Sequence, residues 1–493
     1  MRSVLVVLVV VLGFLTGCAD PEVIAIRLVP TAGLEPERDF RDLDLRVYDA
    51  RDQLVIEADG RDLLGDLARG GVLNAGRRYR LELAASTREG VCTRHRRAVG
   101  RAHFEHRTPP YAIPIQVGCA DEIAPTRGAP IHARLLQAIS PIANGAIIAG
   151  GAATLDGEFV PADPVRAVER YDMTTGRFEE VGELATLRMF APMLTLRDGR
   201  VVIAGGQNTV VGCDETMEVL WPLDAARVPR SLAAPRCSPR ALLLAGGPAF
   251  FGGAPPPPPL VPDYARFEVH DDTFTFEPRQ ATGGEERYLA AVAPLTLGRG
   301  ALVGGGQTFG GPFELALADC GGGVPCFHDV PTEPATPEGW TDMTLTYVPC
   351  SEGGGAVYAV GGVVREPGSE EDTELDAMWC WLDRPEGGVL RPTASLPIVR
   401  SLHRTIALPD ELLVVGQTQA LRVPVDPCTC TAQAGTLEVN GVDYPPGAFM
   451  ILHEVVQLPD ETVLIHGGVS TFGVTPISAE RSAWLFVRDV EWR

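Results

Sequence analysis

The chain reads as all-β, a small β-sandwich followed by a seven-bladed β-propeller. Three observations predict this. Short apolar runs ending in glycine recur seven times from about residue 146 onward, at intervals of 47–56 residues, the period of a four-stranded blade. Residues 22–117 form strand-length runs separated by turn residues, the pattern of a small sandwich. The composition of 493 residues, 45% hydrophobic and 22% charged, excludes a disordered or multi-span membrane chain.

At the N-terminus, Arg2 precedes twelve apolar residues, Val4 to Leu15. This stretch is too short for a hydrocarbon core needing about twenty residues and reads as a secretion signal. It ends in Leu15-Thr16-Gly17-Cys18, which resembles a bacterial lipobox. The resemblance implies removal of residues 1–17 and a lipid on the Cys18 thiol. Ala19, rather than an acid, follows the cysteine, which in that family favours the outer over the inner membrane.

Residues 18–125 are assigned to the sandwich. Its strand-like runs are Val23 to Leu28, Leu43 to Tyr48, Arg78 to Leu83 and Tyr111 to Val117. Asn74-Ala75-Gly76, a turn before the third run, resembles immunoglobulin-like and transthyretin-like domains. Ala120 to Pro130 carries Pro125, Gly128 and Pro130 and is the expected linker. Charge marks the same boundary. Residues 19–128 hold 18 acids against 17 arginines, so nearly all of the net charge of -22 falls on residues 129–493. Every basic residue is arginine, and the acidic balance argues against nucleic acid as a partner.

Within 130–493 the glycine marks are Gly150-Gly151, Gly205-Gly206, Gly252-Gly253, Gly305-Gly306, Gly361-Gly362, the degenerate Val415-Gly416, and Gly467-Gly468. One unit shows the plan. Arg188 to Leu196 is an inner strand, Arg197-Asp198-Gly199-Arg200 a hairpin turn, and Val201 to Gly206 the second strand. In the unit before it, Ala167 to Asp172 and Phe178 to Val181 supply strands three and four around Thr174-Thr175-Gly176. The double glycine, Tyr171-Asp172 before a Thr-Gly turn, and Phe178 resemble the kelch repeat, over nearly three quarters of the chain. The last unit, ending in Val490-Glu491-Trp492, already supplies four strands, so a strand borrowed from the other terminus is neither demanded nor excluded.

The kelch resemblance includes copper radical oxidases similar to galactose oxidase, whose site takes two His, two Tyr and a Cys. His403 and His453 occupy equivalent inner-strand positions, six residues before Pro409-Asp410 and Pro459-Asp460. No Tyr and Cys accompany them locally, so packing is the expected role. No nucleophile elbow or phosphate-cradling loop is present. Neither metal nor cofactor is expected. Cys428-Thr429-Cys430 lacks the further pair that a zinc site needs.

Arg134, Arg188, Arg236, Arg287 and Arg400 each lie 16–18 residues before the first glycine of their unit. Two readings compete: a ring of cations at one mouth of the channel that takes a carboxylate or sugar acid, or fasteners paired with neighbouring carboxylates. Long loops are expected on the same face at residues 152–165, 254–264, 363–376 and 469–480. The second contains Pro255 to Pro259, and the third holds Glu366, Glu370, Glu371, Asp372, Glu374 and Asp376, read as solvated acids.

Without Cys18, ten of the 11 cysteines remain, an even number suited to disulfides in an oxidising compartment. Cys320 and Cys326 flank a hairpin tip, Cys213 and Cys237 share a face, and Cys92 with Cys119 staples the sandwich. Cys350, Cys380, Cys428 and Cys430 allow three pairings. The reading is a lipid-anchored cell-envelope protein that binds a protein or glycan partner through the propeller face. A galactose-oxidase-like or other carbohydrate-active enzyme is the alternative.

Overall fold

The computed structural model describes residues 7–12, 22–59, 73–107, 111–156, 161–208, 212–221, 231–253, 267–272, 279–281, 290–305, 313–321, 323–337, 339–365, 372–384, 388–433, 441–444, 452–469 and 477–489. These form an all-β molecule of many small antiparallel sheets, mostly of about four strands. Among the described residues the only helical pieces are single turns at Pro36–Asp39 and Thr296–Gly298. No helix is long and apolar enough to cross a membrane.

The N-terminal part is one hydrogen-bonded sheet in the order Val7–Leu12, Glu22–Pro30, Tyr111–Cys119, Arg97–Glu105, Arg78–Thr87, Phe40–Asp49, Leu54–Asp59. Glu22–Pro30 and Tyr111–Cys119 run parallel. Ile26 near one end of that order and Ile56 at the other share a core with Leu45, Val47, Leu81, Leu83 and Ile115, so the sheet curls over its own apolar face. The strands read from the sequence as a sandwich are hydrogen-bonded into one continuous curled sheet. Alternation dictates that one face is buried, but not which strands cover it. Val7–Leu12, expected to leave with the signal segment, pairs along Glu22–Arg27 as an edge strand. The Leu15 to Cys18 motif lies outside the described residues.

Seven repeat sheets follow. Their first two strands are Ala138–Ile142 with Gly145–Ala149, Met193–Thr195 with Val201–Ala204, Arg240–Leu244 with Gly247–Phe251, and Ala291–Pro294 with Gly300–Gly304. The last three sheets begin with Thr344–Pro349 and Gly355–Val360, Arg404–Leu408 and Glu411–Val415, and Glu454–Gln457 and Val463–His466. We number these sheets 1–7. The second strands are rich in apolar residues and are entirely buried in sheets 1–7, as expected where both faces of a sheet meet neighbours. Each first strand touches the first strand of the sheets before and after it, and Glu454–Gln457 of sheet 7 touches Ala138–Ile142 of sheet 1.

Sheet 7 departs from its expected composition. Its outer strand is Glu122–Pro125, pairing Trp484 with Pro125 and Phe486 with Ile123. The segment read as a linker thus completes the last sheet, while Val490 to Trp492 lies outside the described residues. The apolar flank of Ala483–Val487 needs a partner in strand register, and Ile123 supplies it while burying its own side chain.

Candidate functional site

Each repeat sheet has a glycine end, where its second strand stops, and a turn end, where its hairpins close. The curled N-terminal sheet docks on the turn end of sheets 7 and 1. Arg27 donates to the Thr174 carbonyl (2.6 Å), Arg101 pairs with Glu461, Gln116 joins Tyr171, and Thr462 Oγ1 donates to Gln116 Oε1 (3.1 Å). The glycine end is left to other uses.

At the glycine end, the double glycine is required by backbone crowding. A Cβ on Gly150 (φ +69°) would lie 2.4 Å from the Arg188 carbonyl oxygen, and one on Gly151 (φ +88°) 2.5 Å from that of Leu135. Only glycine permits both the left-handed backbone and this approach. The approach also makes bonds between sheets. Gly151 N donates to Arg188 O (2.8 Å), Gly206 N to Arg236 O (2.8 Å), Gly362 N to Arg400 O (2.7 Å) and Gly468 N to Arg134 O (3.3 Å).

The side chains of these arginines turn back into their own sheets. Arg134 is fully buried, donating Nη1 to the carbonyls of Gly150 (3.1 Å) and Ala167 (3.0 Å) and Nη2 to Glu169 (2.8 Å). Arg188 donates to Gly205 O (2.7 Å), Thr216 O (3.0 Å) and Glu218 (3.0 Å). Arg236 reaches Gly252 O and lies 3.6 Å from Glu268. The three glutamates also hold the incoming loop. Glu169 accepts from His132 N (2.8 Å), Glu218 from Ala185 N (2.6 Å) and Glu268 from Ala233 N (2.9 Å). Burial pulls the Arg134 and Arg236 guanidinium groups below their ordinary value, against the pull of Glu169 and Glu268. Burial opposes ionisation of Glu268, yet His270 and Arg236 outweigh it and hold the carboxyl below its usual range.

These arginines are therefore fasteners one layer behind the mouth, not cations lining it. Arg287 lies outside the described residues. The partner glutamates escaped the sequence reading, although a signal exists. On the third strand a glutamate directly follows an apolar residue in Val168-Glu169, Met217-Glu218, Phe267-Glu268 and Phe313-Glu314, each facing the residue two before the first glycine.

Sheets 5 and 6 solve the same position differently. Trp340 Nε1 donates to Gly361 O (2.7 Å) in place of an arginine, and Trp379 stands where the glutamate would be, ring centroids 6.0 Å apart. In sheet 6, Leu421 takes the glutamate position, and Tyr444 Oη donates to Gly416 O (2.6 Å). Arg400 is buried at 3% exposure with its Nε and Nη2 unpartnered. Burial holds its guanidinium below the ordinary value, although Tyr444 and Glu374 favour the charge.

Between the first strands lies a cavity of about 470 Å³ lined from all seven sheets. Leu136, Phe190, Ser238, Asp342, Leu402 and Leu452 line its glycine end. Five of them adopt a left-handed backbone, φ +58°, +55°, +53°, +47° and +58° for Leu136, Phe190, Asp342, Leu402 and Leu452. Such strain in bulky residues persists only where the surroundings enforce it, and it concentrates at functional sites. Below them, Arg404 forks Glu454 through Nε (3.0 Å) and Nη2 (2.6 Å), while Arg240 donates Nε to Ala290 O (3.0 Å). Burial works against the Glu454 carboxylate, and Arg404 more than offsets it. His403 shares a hydrogen bond with Thr344 Oγ1 (3.2 Å), which meets Thr405 Oγ1 (2.7 Å). Burial, with Arg404 and Arg400 nearby, drops the His403 pKa to about 3. His403 and His453 are both buried.

Around the glycine end rise two hairpins. Ala152–Leu155 and Pro161–Pro164 pair with Ile477–Ser478 from the loop of sheet 7. Val363–Arg365 and Asp372–Glu374 pair with Trp340–Thr341. The 254–264 loop with Pro255 to Pro259, and Glu366, Glu370 and Glu371, lie outside the described residues. A second cleft of about 600 Å³ opens at the outer edges of sheets 4–6, lined by Asp329, Arg384 and Arg391. It lies away from the point where all seven sheets converge.

Five disulfides join Cys92–Cys119, Cys213–Cys237, Cys320–Cys326, Cys350–Cys428 and Cys380–Cys430. The last two tie sheet 5 to sheet 6, the sheet that lacks both the second glycine and the carboxylate for its arginine. His95, Asp121 and Asp489 bring metal-type ligand atoms together. Arg422 and Arg97, however, already pair with the two carboxylates. Cys320, Cys326 and His328 also cluster, but the disulfide removes the thiolates a metal would need. Ten cysteines paired in disulfides indicate an extracytoplasmic protein. No family model matches the chain, and no curated protein matches it at a significant level.

Proposed function

We propose that this chain is a lipid-anchored cell-envelope binding protein, a seven-bladed kelch-like propeller carried by a small immunoglobulin-like or transthyretin-like domain. It recognises a protein or glycan partner at the glycine end and performs no catalysis. Seven sheets whose first strands touch in succession, sheet 7 back to sheet 1, support the propeller reading. One observation carries the binding role: the cavity is lined by the glycine-end starts of the first strands of all seven sheets, whereas the N-terminal sheet contacts the turn end of sheets 7 and 1. An anchor on Cys18 would enter through the N-terminal sheet and leave the cavity mouth facing away from the membrane. Outer-membrane attachment is favoured over inner-membrane attachment by Ala19 and Asp20.

Two measurements test this. Cys18→Ser should move the protein from the membrane to the soluble fraction, because the acyl chains supply the anchor. Retention of that variant on membranes would refute the anchor. The soluble protein, screened on arrays of envelope glycans, should give binding that is lost when Phe190 at the cavity mouth is changed to Ser. Turnover of a bound sugar would instead favour the carbohydrate-active alternative.

A further inference from the structure

We infer that the central cavity takes a hydroxylated carboxylate, a sugar acid, with Arg240 as the fork for its carboxyl group. This deepens the binding role proposed above and rests on it. The cavity brings together two arginines and two acids: Arg240, Arg404, Asp342 and Glu454. Arg404 is spent. Its Nε and Nη2 hold Glu454, and Nη1 donates to His403 O (3.1 Å). Asp342 is engaged as well. Arg240 is different, because Nε alone is used, on the Ala290 carbonyl, and its two terminal nitrogens make no hydrogen bond among the described residues. Arg240 is only partly buried and Glu454 and Asp342 already favour its charge, but its planar terminal fork stays open toward the cavity, and a carboxylate is the group that fits it.

Two neighbours specify more than charge. Gln137 and Ser238 line the same cavity and are each 97% buried, and Gln137 Oε1 and Ser238 Oγ have no hydrogen-bond partner. Gln137 is held through its amide nitrogen by His466 O (2.8 Å), so its open atom is an acceptor. A buried acceptor without a donor is destabilising. A plain carboxylate has no proton for it, whereas a ligand with hydroxyl groups does. Thr344 and Thr405 add hydroxyls to the lining, and Phe190 and Leu402 at the mouth offer apolar surface for the face of a sugar ring. About 470 Å³ accommodates one or two sugar residues.

The test uses the full-length Cys18→Ser protein titrated calorimetrically with glucuronate, glucose, glutarate and N-acetyl-dialanine. Glucuronate should bind, glutarate more weakly because Gln137 stays unpaired, and glucose weakly or not at all. Arg240→Leu should reduce glucuronate affinity roughly tenfold to a hundredfold, the range of a charge-assisted pair. Arg240→Lys should keep part of it, and Gln137→Leu should narrow the gap between glucuronate and glutarate. Unchanged melting temperatures would show that these variants remain folded. Should glucuronate bind equally well to Arg240→Leu, or the dialanine outcompete it, the sugar-acid assignment is wrong. If neutral glycans bind on the array while no carboxylate does, this inference falls and the binding role stands. If nothing binds at the mouth, both fall.

Discussion

Arg134 and Arg400 hold equivalent places before their glycines, yet they carry opposite energetic consequences. Removing Arg134 leaves Glu169 fully buried with only backbone donors, and stranding one partner of a buried pair costs roughly 3–5 kcal/mol. Arg400 has no carboxylate to strand and leaves two of its own nitrogens unsatisfied. Arg134→Met should therefore lower the urea midpoint markedly, whereas Arg400→Met should leave it unchanged or raise it slightly. Equal losses in the two variants would mean that Arg400 has a structural partner after all. The arginines are plain in the sequence because they recur at fixed spacing. Their roles are not, because a guanidinium at a strand start points outward to a ligand or inward to a glutamate depending on a residue some thirty positions later.

Among the elements, Glu122–Pro125 governs the last sheet. Ile123 is buried against Leu408, Trp484 and Phe486, so Ile123→Asp places an unpaired charge in that core. A fall in melting temperature and a shift to oligomers in size-exclusion chromatography are expected, since the freed edge of Ala483–Val487 can pair with another chain. A monomer of unchanged stability would show that the edge is covered by other residues. A four-residue strand that ends in Pro125 and is followed by Gly128 reads as a linker by composition, and only the edge of sheet 7 makes it a strand. Sheet 6 shows the reverse case. Its missing glycine was legible, but the disulfides that hold it to sheet 5 depend on which turns lie side by side.

The whole molecule is held together at the turn end of sheets 7 and 1, where Asp460 lies buried. Burial raises its carboxyl to about 6, against hydrogen bonds from Thr462, and its Oδ2 has no partner. The folded state thus keeps the proton after the unfolded chain has released it. Asp460 favours folding below the ordinary aspartate value near 4, and that contribution is lost as pH rises to about 6. Above this window the buried charge is a penalty of roughly 1–3 kcal/mol. Asp460→Asn keeps an oxygen for Thr462 and removes the charge. Its melting temperature should exceed that of the parent at pH 7.5 and match it at pH 4. The same gain at both pH values would assign the effect to something other than the proton.

Repetition is the property that the amino-acid order determines by itself. Seven glycine marks at near-constant intervals oblige seven similar sheets, and ten cysteines oblige disulfides, because these depend on local backbone freedom and on parity. Tertiary structure alone decided what faces what. Three of the recurrent arginines turned inward because glutamates from a third strand met them, and the tryptophans of sheet 5 replaced one such pair without changing the spacing. Gln137 comes from the start of sheet 1 and Ser238 and Arg240 from the start of sheet 3, about a hundred residues apart in the sequence. They became one candidate site only where seven first strands converge, since a polar atom is left without a partner by its surroundings, not by its neighbours in sequence.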